Sequence, residues 1–215
     1  TITGAGEPVM VPAERVTGRY FDLFGTPALY GRTLQAADSE AGREQVLVLS
    51  HKLWTAHFGA DSGVVGRTIS INARPFEIVG VMPESFSAIH SAEAWAPLPT
   101  TGAFQQIAES RNSLWLEVMG TVKPGISQEA AQSELSTIMA RLAEQYPGDV
   151  GMGILLEPLK ETAVGEQTAL FEQLKPNKPR IIKITPAIID AATNIEWLYF
   201  ATMPDMSGMK AAVGP

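Results

Sequence analysis

Ser50 and His51 stand side by side in Leu49-Ser50-His51-Lys52, a hydroxyl next to an imidazole, the two groups from which serine-type hydrolysis is built. A working triad needs Oγ and the ring to meet with an acid behind the histidine, and sequence neighbours rarely reach that geometry. No Gly-x-Ser-x-Gly elbow surrounds the serine. The competing reading makes Ser50 a helix N-cap and His51 a solvated first-turn residue, and the pattern that follows favours it. The histidines are His51, His57 and His90, and none of their spacings is that of a zinc set. His51 and His57 fall on different faces of one expected helix, with His57 part-buried beside Phe58. Glu7, Asp38, Glu40, Glu84 and Glu93 sit in expected loops or turns. General acid–base work by these carboxylates stays open, although no spacing pairs them. Trp54, Trp95 and Trp115 are spread out as packing aromatics, not as a stacking platform.

A second feature invites a ligand-loop reading. Residues 24–32 read FGTPALYGR and residues 58–67 read FGADSGVVGR, each opening on Phe-Gly and running into Gly-Arg-Thr. Loops that cradle phosphate place closely spaced glycines directly before a helix N-terminus. Here a helical pattern precedes the first glycine, and an extended pattern follows the last glycine of the second copy. That order predicts helix C-caps and turns, with Arg32 and Arg67 at a surface.

Composition narrows the field further. The 215 residues carry a formal net charge of −7 and no run of basic residues, which speaks against a nucleic-acid partner. The chain has no cysteine, so disulfides, thiolate catalysis and cysteine metal sites are excluded. No apolar stretch approaches the roughly 20 residues that span a bilayer. The start, TITGAGEPVM, lacks the basic and apolar regions of a signal peptide. The expectation is either a cytosolic protein or a water-facing piece of a longer chain.

The elements that must position these residues follow from periodicity. Residues 8–18 read as a strand interrupted by Pro12, followed by an N-capping Thr17 or a turn at Gly18 and a short helix with Tyr20, Phe21, Leu23 and Phe24 apolar. Gly25 is placed as its C-cap, and LQAADSEAG as an acidic surface loop. Residues 45–50 form a buried strand, and Ser50 to Gly59 delimit a helix. Thr68 to Val81 alternate as a β-hairpin around Asn72. Residues 84–110 are read as a long loop holding AWAPL as a short strand. A strand over 115–125, a helix over 127–147 with Ala131, Leu135, Ile138 and Leu142 on one stripe, and a strand over 153–159 follow. In the tail, RIIKIT is expected as a strand and AIIDAATNIEWLYFA as a helix.

The segments RVTGRYFDLFGTPALYGRTL, VLVLSHKLWTAHFGADSGVVGRTISINARPFEIVGVMP, AWAPL and VMGTVKPGISQEAAQSELSTIMARLAEQYP occur in an order that resembles the extracytoplasmic core domain of MacB-type ABC transporter permeases. The resemblance covers about residues 1–165 and points to an acidobacterial-style permease subgroup. Its motif residues are Phe24, Gly25, Gly31, Arg32, Phe58, Gly59, Gly66, Arg67, Pro75, Phe76 and Gly80. It implies an α+β (mixed α/β) fold. Residues 1–34 and 110–160 would form a porter-like βαβ subdomain, residues 45–100 an inserted strand-rich subdomain, and 166–215 an unassigned tail. It further implies a non-catalytic domain on the periplasmic face of a bacterial inner membrane, between two membrane helices that this chain does not contain. ATP hydrolysis in the cytoplasm would drive its movement. The implied partners are a second permease copy and a periplasmic adaptor or exit-duct protein, with no cofactor, no metal and no nucleic acid. Two other readings stay open: a hydrolase using Ser50, His51 or a loop carboxylate, and a small-molecule binding module with a cleft between subdomains.

Overall fold

Alternating apolar residues build one mixed sheet. The computed structural model describes residues 2–3, 10–88, 92–99, 117–158, 179–183 and 195–201. The strands are β1 (Ile2–Thr3), β2 (Ala13–Val16), β3 (Tyr30–Gly31), β4 (Val46–Leu49), β5 (Thr68–Ile71), β6 (Arg74–Val81), β7 (Ala94–Pro97), β8 (Glu117–Val122), β9 (Glu157–Pro158), β10 (Pro179–Lys183) and β11 (Ile195–Ala201). The helices are α1 (Tyr20–Phe24), α2 (His51–Phe58) and α3 (Gln128–Gln145). Strand order is β1-β5-β6-β4-β7-β2-β11-β8-β10-β9, and β3 adds to β6. The β4–β6 and β2–β7 ladders are parallel, and the others are antiparallel. The fold is α+β, as the sequence leads one to expect.

Helices cover both faces of this sheet. On one face α1 packs Tyr20, Phe21 and Phe24 with Val16, Val48, Val79, Trp95 and Met119. On the other, α2 packs Leu53 and Trp54 with Leu47, Leu49, Ile78 and Ala94. Neighbouring residues of β4 thus belong to opposite cores, the period-2 signature of a strand buried on both sides. The third helix packs Ala131, Leu135 and Ile138 on Val118 of β8. Register carried from β2 through β11 to β8 places Val118 on the same face as Arg15, which is the α2 face.

Strand β6 is the centre of the first half. It pairs with β5 at Arg74–Glu77, with β4 at Glu77–Val81 and with β3 at Gly80–Val81. Leu47 faces Ile78 but Val48 faces Gly80, so Val79 is an extra residue, a β-bulge in a parallel pair. The bulge turns the alternation over. Phe76 and Ile78, then Val81, all reach the α2 core, while Val79 and Met82 reach the α1 core. The β5–β6 hairpin closes through Asn72 and Ala73, at φ 50° and 63°, the two left-handed residues of a type I′ turn. Among the described residues no helix is long and apolar enough to cross a membrane.

Several expected elements differ. Arg19, not Thr17, holds the N-cap position of α1, and its side chain makes no capping bond. The acidic loop after β3 is partly buried: Ala36–Ser39 is a 3-10 turn with Asp38 and Ser39 inside. Of the described residues of the strand expected over 153–159, only Glu157–Pro158 joins a ladder. Before it, α3 takes the place of a neighbouring strand. Gln132 Nε2 donates to the Ile154 carbonyl, Gln132 Oε1 accepts from the Leu156 N–H, and Gln128 Nε2 donates to the Leu156 carbonyl. The tail helix is overturned where it can be seen: Ile195–Ala201 is a strand between β8 and β2. Its run IEWLYFA is rich in β-branched and aromatic residues, which suit a pleated ladder better than a lone helix. The described part of RIIKIT, up to Lys183, lies in β10, paired with β8 and β9.

Candidate functional site

Both Phe-Gly…Gly-Arg segments converge on β6. Each leaves a helix through a left-handed glycine, Gly25 after α1 and Gly59 after α2, both at φ 61°. The shared value reflects the αL conformation that ends helices and favours a residue without Cβ. Each then reaches a second glycine at positive φ, Gly31 at 68° and Gly66 at 88°. The first segment docks beside the bulge: the Leu29 N–H donates to the Val81 carbonyl at 2.8 Å and the Arg32 N–H to the Val79 carbonyl at 2.9 Å. The second docks one step earlier, with the Gly66 N–H on the Ile78 carbonyl at 2.8 Å and the Ile78 N–H on the Arg67 carbonyl at 2.9 Å.

Contact is closest where the first segment crosses the bulge. A Cβ on Gly31 would lie 2.2 Å from the Val79 carbonyl oxygen, and one on Gly80 would lie 2.0 Å from the Arg32 carbonyl oxygen. These two glycines therefore clear the way for each other's strand. At Gly66 a Cβ would meet nothing within 4 Å. Gly18 belongs with the tight pair, since its Cβ would lie 2.1 Å from the Gln35 carbonyl carbon.

The two arginines differ in the same way. Arg32 grips Asp38 with two parallel bonds, Nη1 to Oδ2 at 2.6 Å and Nη2 to Oδ1 at 2.8 Å. Asp38 Oδ2 also accepts the Gln35 N–H at 2.7 Å. The side chains are 38% and 9% exposed, so the carboxylate is inside and the guanidinium half out. The hydrogen bonds to Asp38 raise the Arg32 pKa above its ordinary value, against partial desolvation. A raised cation loses its stabilising contribution only as pH climbs through that high range, so the contribution of the Arg32 charge is unchanged near neutrality. Arg67 pairs with Asp61, both about half exposed at 54% and 44%. Asp61 Oδ1 also accepts the Gly63 N–H at 2.9 Å, and the Asp61 carbonyl accepts Trp54 Nε1–H at 2.9 Å.

Ser50 and His51 are spent on structure. Ser50 Oγ accepts the Leu53 N–H at 3.0 Å as the N-cap of α2, and the Ser50 N–H donates to the Glu93 carbonyl. The His51 ring lies edge-on to Trp54 at 5.3 Å, and Tyr30 packs on the same indole. Among the described residues no carboxylate pairs with the His51 ring. Glu93 pairs instead with Lys52. His57 is exposed, not part-buried as its place beside Phe58 suggests. Asp38 pairs with Arg32, Glu40 with Arg43 and Glu93 with Lys52. Glu7, His90 and Trp115 lie outside the described residues. An open cleft of about 520 Å³ lies beside the first arginine, lined by Arg32, Asp38, Arg43, Gln45, Thr68 and Glu77 among others. Its wall is polar and of both signs, unlike the mostly apolar lining of small-molecule sites. Among the described residues no cluster of histidine and carboxylate could hold a metal ion.

Residues 2–138, which include the whole convergence on β6, match the family model of the MacB-like periplasmic core domain. The chain belongs to that family. Two solved structures are similar to this MacB-like domain. The periplasmic region of MacB from Actinobacillus actinomycetemcomitans is 20% identical, with a TM-score of 0.47 over 66% of this chain and 62% of that one. The extracellular domain of the noncanonic ABC-type transporter YknZ from Gram-positive bacteria is 21% identical, with a TM-score of 0.38 over 45% and 48%. The chain thus spans less than two thirds of either. No curated protein matches it. Within the matched region, sequence reasoning missed Gly18, Asp61 and the buried role of Asp38. Nothing in Thr17-Gly18-Arg19 separates an obligatory glycine from an ordinary turn, and the two Arg–Asp pairings run in opposite chain directions.

Proposed function

We propose that this MacB-like domain is the non-catalytic extracytoplasmic part of an ABC transporter permease, of the acidobacterial-style subgroup, that couples cytoplasmic ATP hydrolysis to movement and protein contacts outside the membrane. The observation that carries the reading is the family match over residues 2–138. The geometry supports it. Phe24, Gly25, Gly31, Arg32, Phe58, Gly59, Gly66, Arg67, Pro75, Phe76 and Gly80 all lie in the helix–turn–strand segments or in β6, so their role is to stiffen one body. Stiffness is what a part that transmits force requires. The porter-like unit is assigned to residues 1–34 and 110–160 and the inserted unit to 45–100. Tyr20 to Leu34 touch both, through Met119 on one side and Val48, Val79 and Trp95 on the other. The partners are a second permease copy and a periplasmic adaptor or exit-duct protein, and the location is the outer face of a bacterial inner membrane.

The test is topological. In the full-length protein in intact cells, a cysteine placed at the exposed Ala56 should react with a membrane-impermeant maleimide. Labelling only after lysis would place the domain in the cytoplasm and end the proposal. The hydrolase reading has no observation in its favour, because Ser50 Oγ is engaged in its cap.

A further inference from the structure

We propose that the open cleft beside Arg32 binds a small zwitterion of the free amino-acid class, with Glu77 taking the ammonium end and Arg43 the carboxylate end. The inference does not rest on the transporter reading. It begins with the floor of the cleft, which is sheet. Thr68 of β5 stands opposite Glu77 of β6, and Glu77 stands opposite Val46 of β4. These residues form one row across neighbouring strands, on the face that α1 covers further along at Val48 and Val79. Beyond that cover Thr68 and Glu77 are exposed. Glutamate is a poor choice for a pleated strand on propensity alone. Among the described residues no cation forms an ion pair with Glu77.

One wall is the chain from Gln35 to Arg43, and its two ends are held very differently. At the near end Arg32 grips Asp38 with two bonds, and Asp38 also accepts the Gln35 N–H. Those two charges cancel each other and are already engaged. At the far end Gly42 sits at φ 82° with nothing within 4 Å of the place a Cβ would take. Arg43 is held only by Glu40 at 3.7 Å, with both side chains in water at 65% and 64% exposure. So exposed a pair is weak and exchanges readily for a better-placed carboxylate.

The cleft therefore offers a ligand one anion on its floor and one cation on its wall. Arg43 lies just before β4, and extended chain puts its Cα at most about 11 Å from that of Glu77. Both side chains line the same space of about 520 Å³. The Thr68 hydroxyl and the Gln45 amide line it too, and either can complete the hydrogen bonds of an ammonium or a carboxylate. The Arg32 pKa is raised first by its bond to Asp38, and Glu77 adds to the rise, so the Glu77 charge acts on this cleft. A purely anionic ligand would meet Glu77 and a purely cationic one Arg43. Only a molecule with both signs leaves neither charge opposed.

The test is calorimetric titration of the 215-residue chain with glycine, β-alanine, 4-aminobutyrate and 6-aminohexanoate, whose charges lie progressively further apart. Saturable binding is expected for at least one length, with a Kd of about 1 mM or tighter, and about tenfold weaker binding of acetate and methylammonium. Glu77→Gln should bind the zwitterion no better than acetate, and Arg43→Gln no better than methylammonium. Both positions are exposed, so neither change disturbs the core. No saturable binding of any of the zwitterions at about 20 mM overturns the site. Binding that both variants leave unchanged overturns its placement in this cleft. Acetate or methylammonium binding as tightly as the best zwitterion overturns recognition at two ends.

Discussion

The two Phe-Gly…Gly-Arg-Thr segments make the same backbone moves and reach the same strand, but only the first is locked in place. Both leave a helix through a glycine at φ 61°, pass a second glycine at positive φ, and hold their arginine with an aspartate. In the first, Gly31 and Gly80 leave no room for a Cβ and Asp38 is inside. In the second, Gly66 borders open space and the Arg67–Asp61 pair is half in water. A shared sequence pattern thus records a shared conformational need, while the energetic weight of each copy is set by what packs around it.

The sharpest way to break the comparison is at the glycines. Gly31→Ala puts a Cβ 2.2 Å from a backbone oxygen at a φ that already costs an alanine about 1–2 kcal/mol. The expected loss is above about 4 kcal/mol, at the top of the range for single substitutions, or no folded protein at all. Gly80→Ala should behave alike. Gly66→Ala carries the conformational cost alone, so urea denaturation should show a loss of about 1–2 kcal/mol with an unchanged slope. If Gly31→Ala and Gly66→Ala cost the same, the close crossing at the bulge is not what holds the first copy.

Next in size is Asp38→Asn. It replaces a charged oxygen that faces Arg32 and the Gln35 N–H with an amide, leaving donors facing donors. Breaking a fully buried pair costs about 3–5 kcal/mol, but the Arg32 side chain keeps 38% exposure and can rehydrate. The expected loss is about 2–3 kcal/mol. Ser50→Ala should cost about 1 kcal/mol by removing the α2 cap. If the parent hydrolysed simple esters and this variant did not, the structural role of Ser50 would be incomplete.

Local signals carried most of what could be read ahead of the structure. Gly25, Gly59, Ser50 and Asn72 act through bonds to residues a few positions away, and caps and turns write such demands into nearby residue types. The α3 stripe was legible for the same reason. What stayed hidden depends on distant chain. Gly18 against Gln35, Gly31 against Val79 and Gly80 against Arg32 are crossings, and a glycine does not announce which strand will pass it. The bulge at Val79 is invisible in an unbroken apolar run, because Val79, Val81 and Met82 suit either parity. Ile195–Ala201 reads as helical until β8 and β2 are found on either side of it. Ile154 and Leu156 alternate like a strand but bond to glutamine side chains of α3.

The smallest expected effect is also the most discriminating, at Asp61. Asp61→Asn keeps an oxygen for the Gly63 N–H and leaves the main-chain bond from Trp54 untouched. It therefore removes little besides the charge that faces Arg67. An exposed pair is worth about 0–1 kcal/mol, so a loss of no more than about 0.5 kcal/mol is expected at low salt. In about 1 M salt the Debye length shrinks to about 3 Å and the difference between parent and variant should vanish. Asp38→Asn should keep most of its deficit under the same conditions, since water and ions reach that carboxylate poorly. If salt erased both deficits equally, the burial of Asp38 would not explain the unequal weight of the two segments. If salt spared both, the second arginine would be locked as firmly as the first, and the contrast between them would rest on the glycines alone.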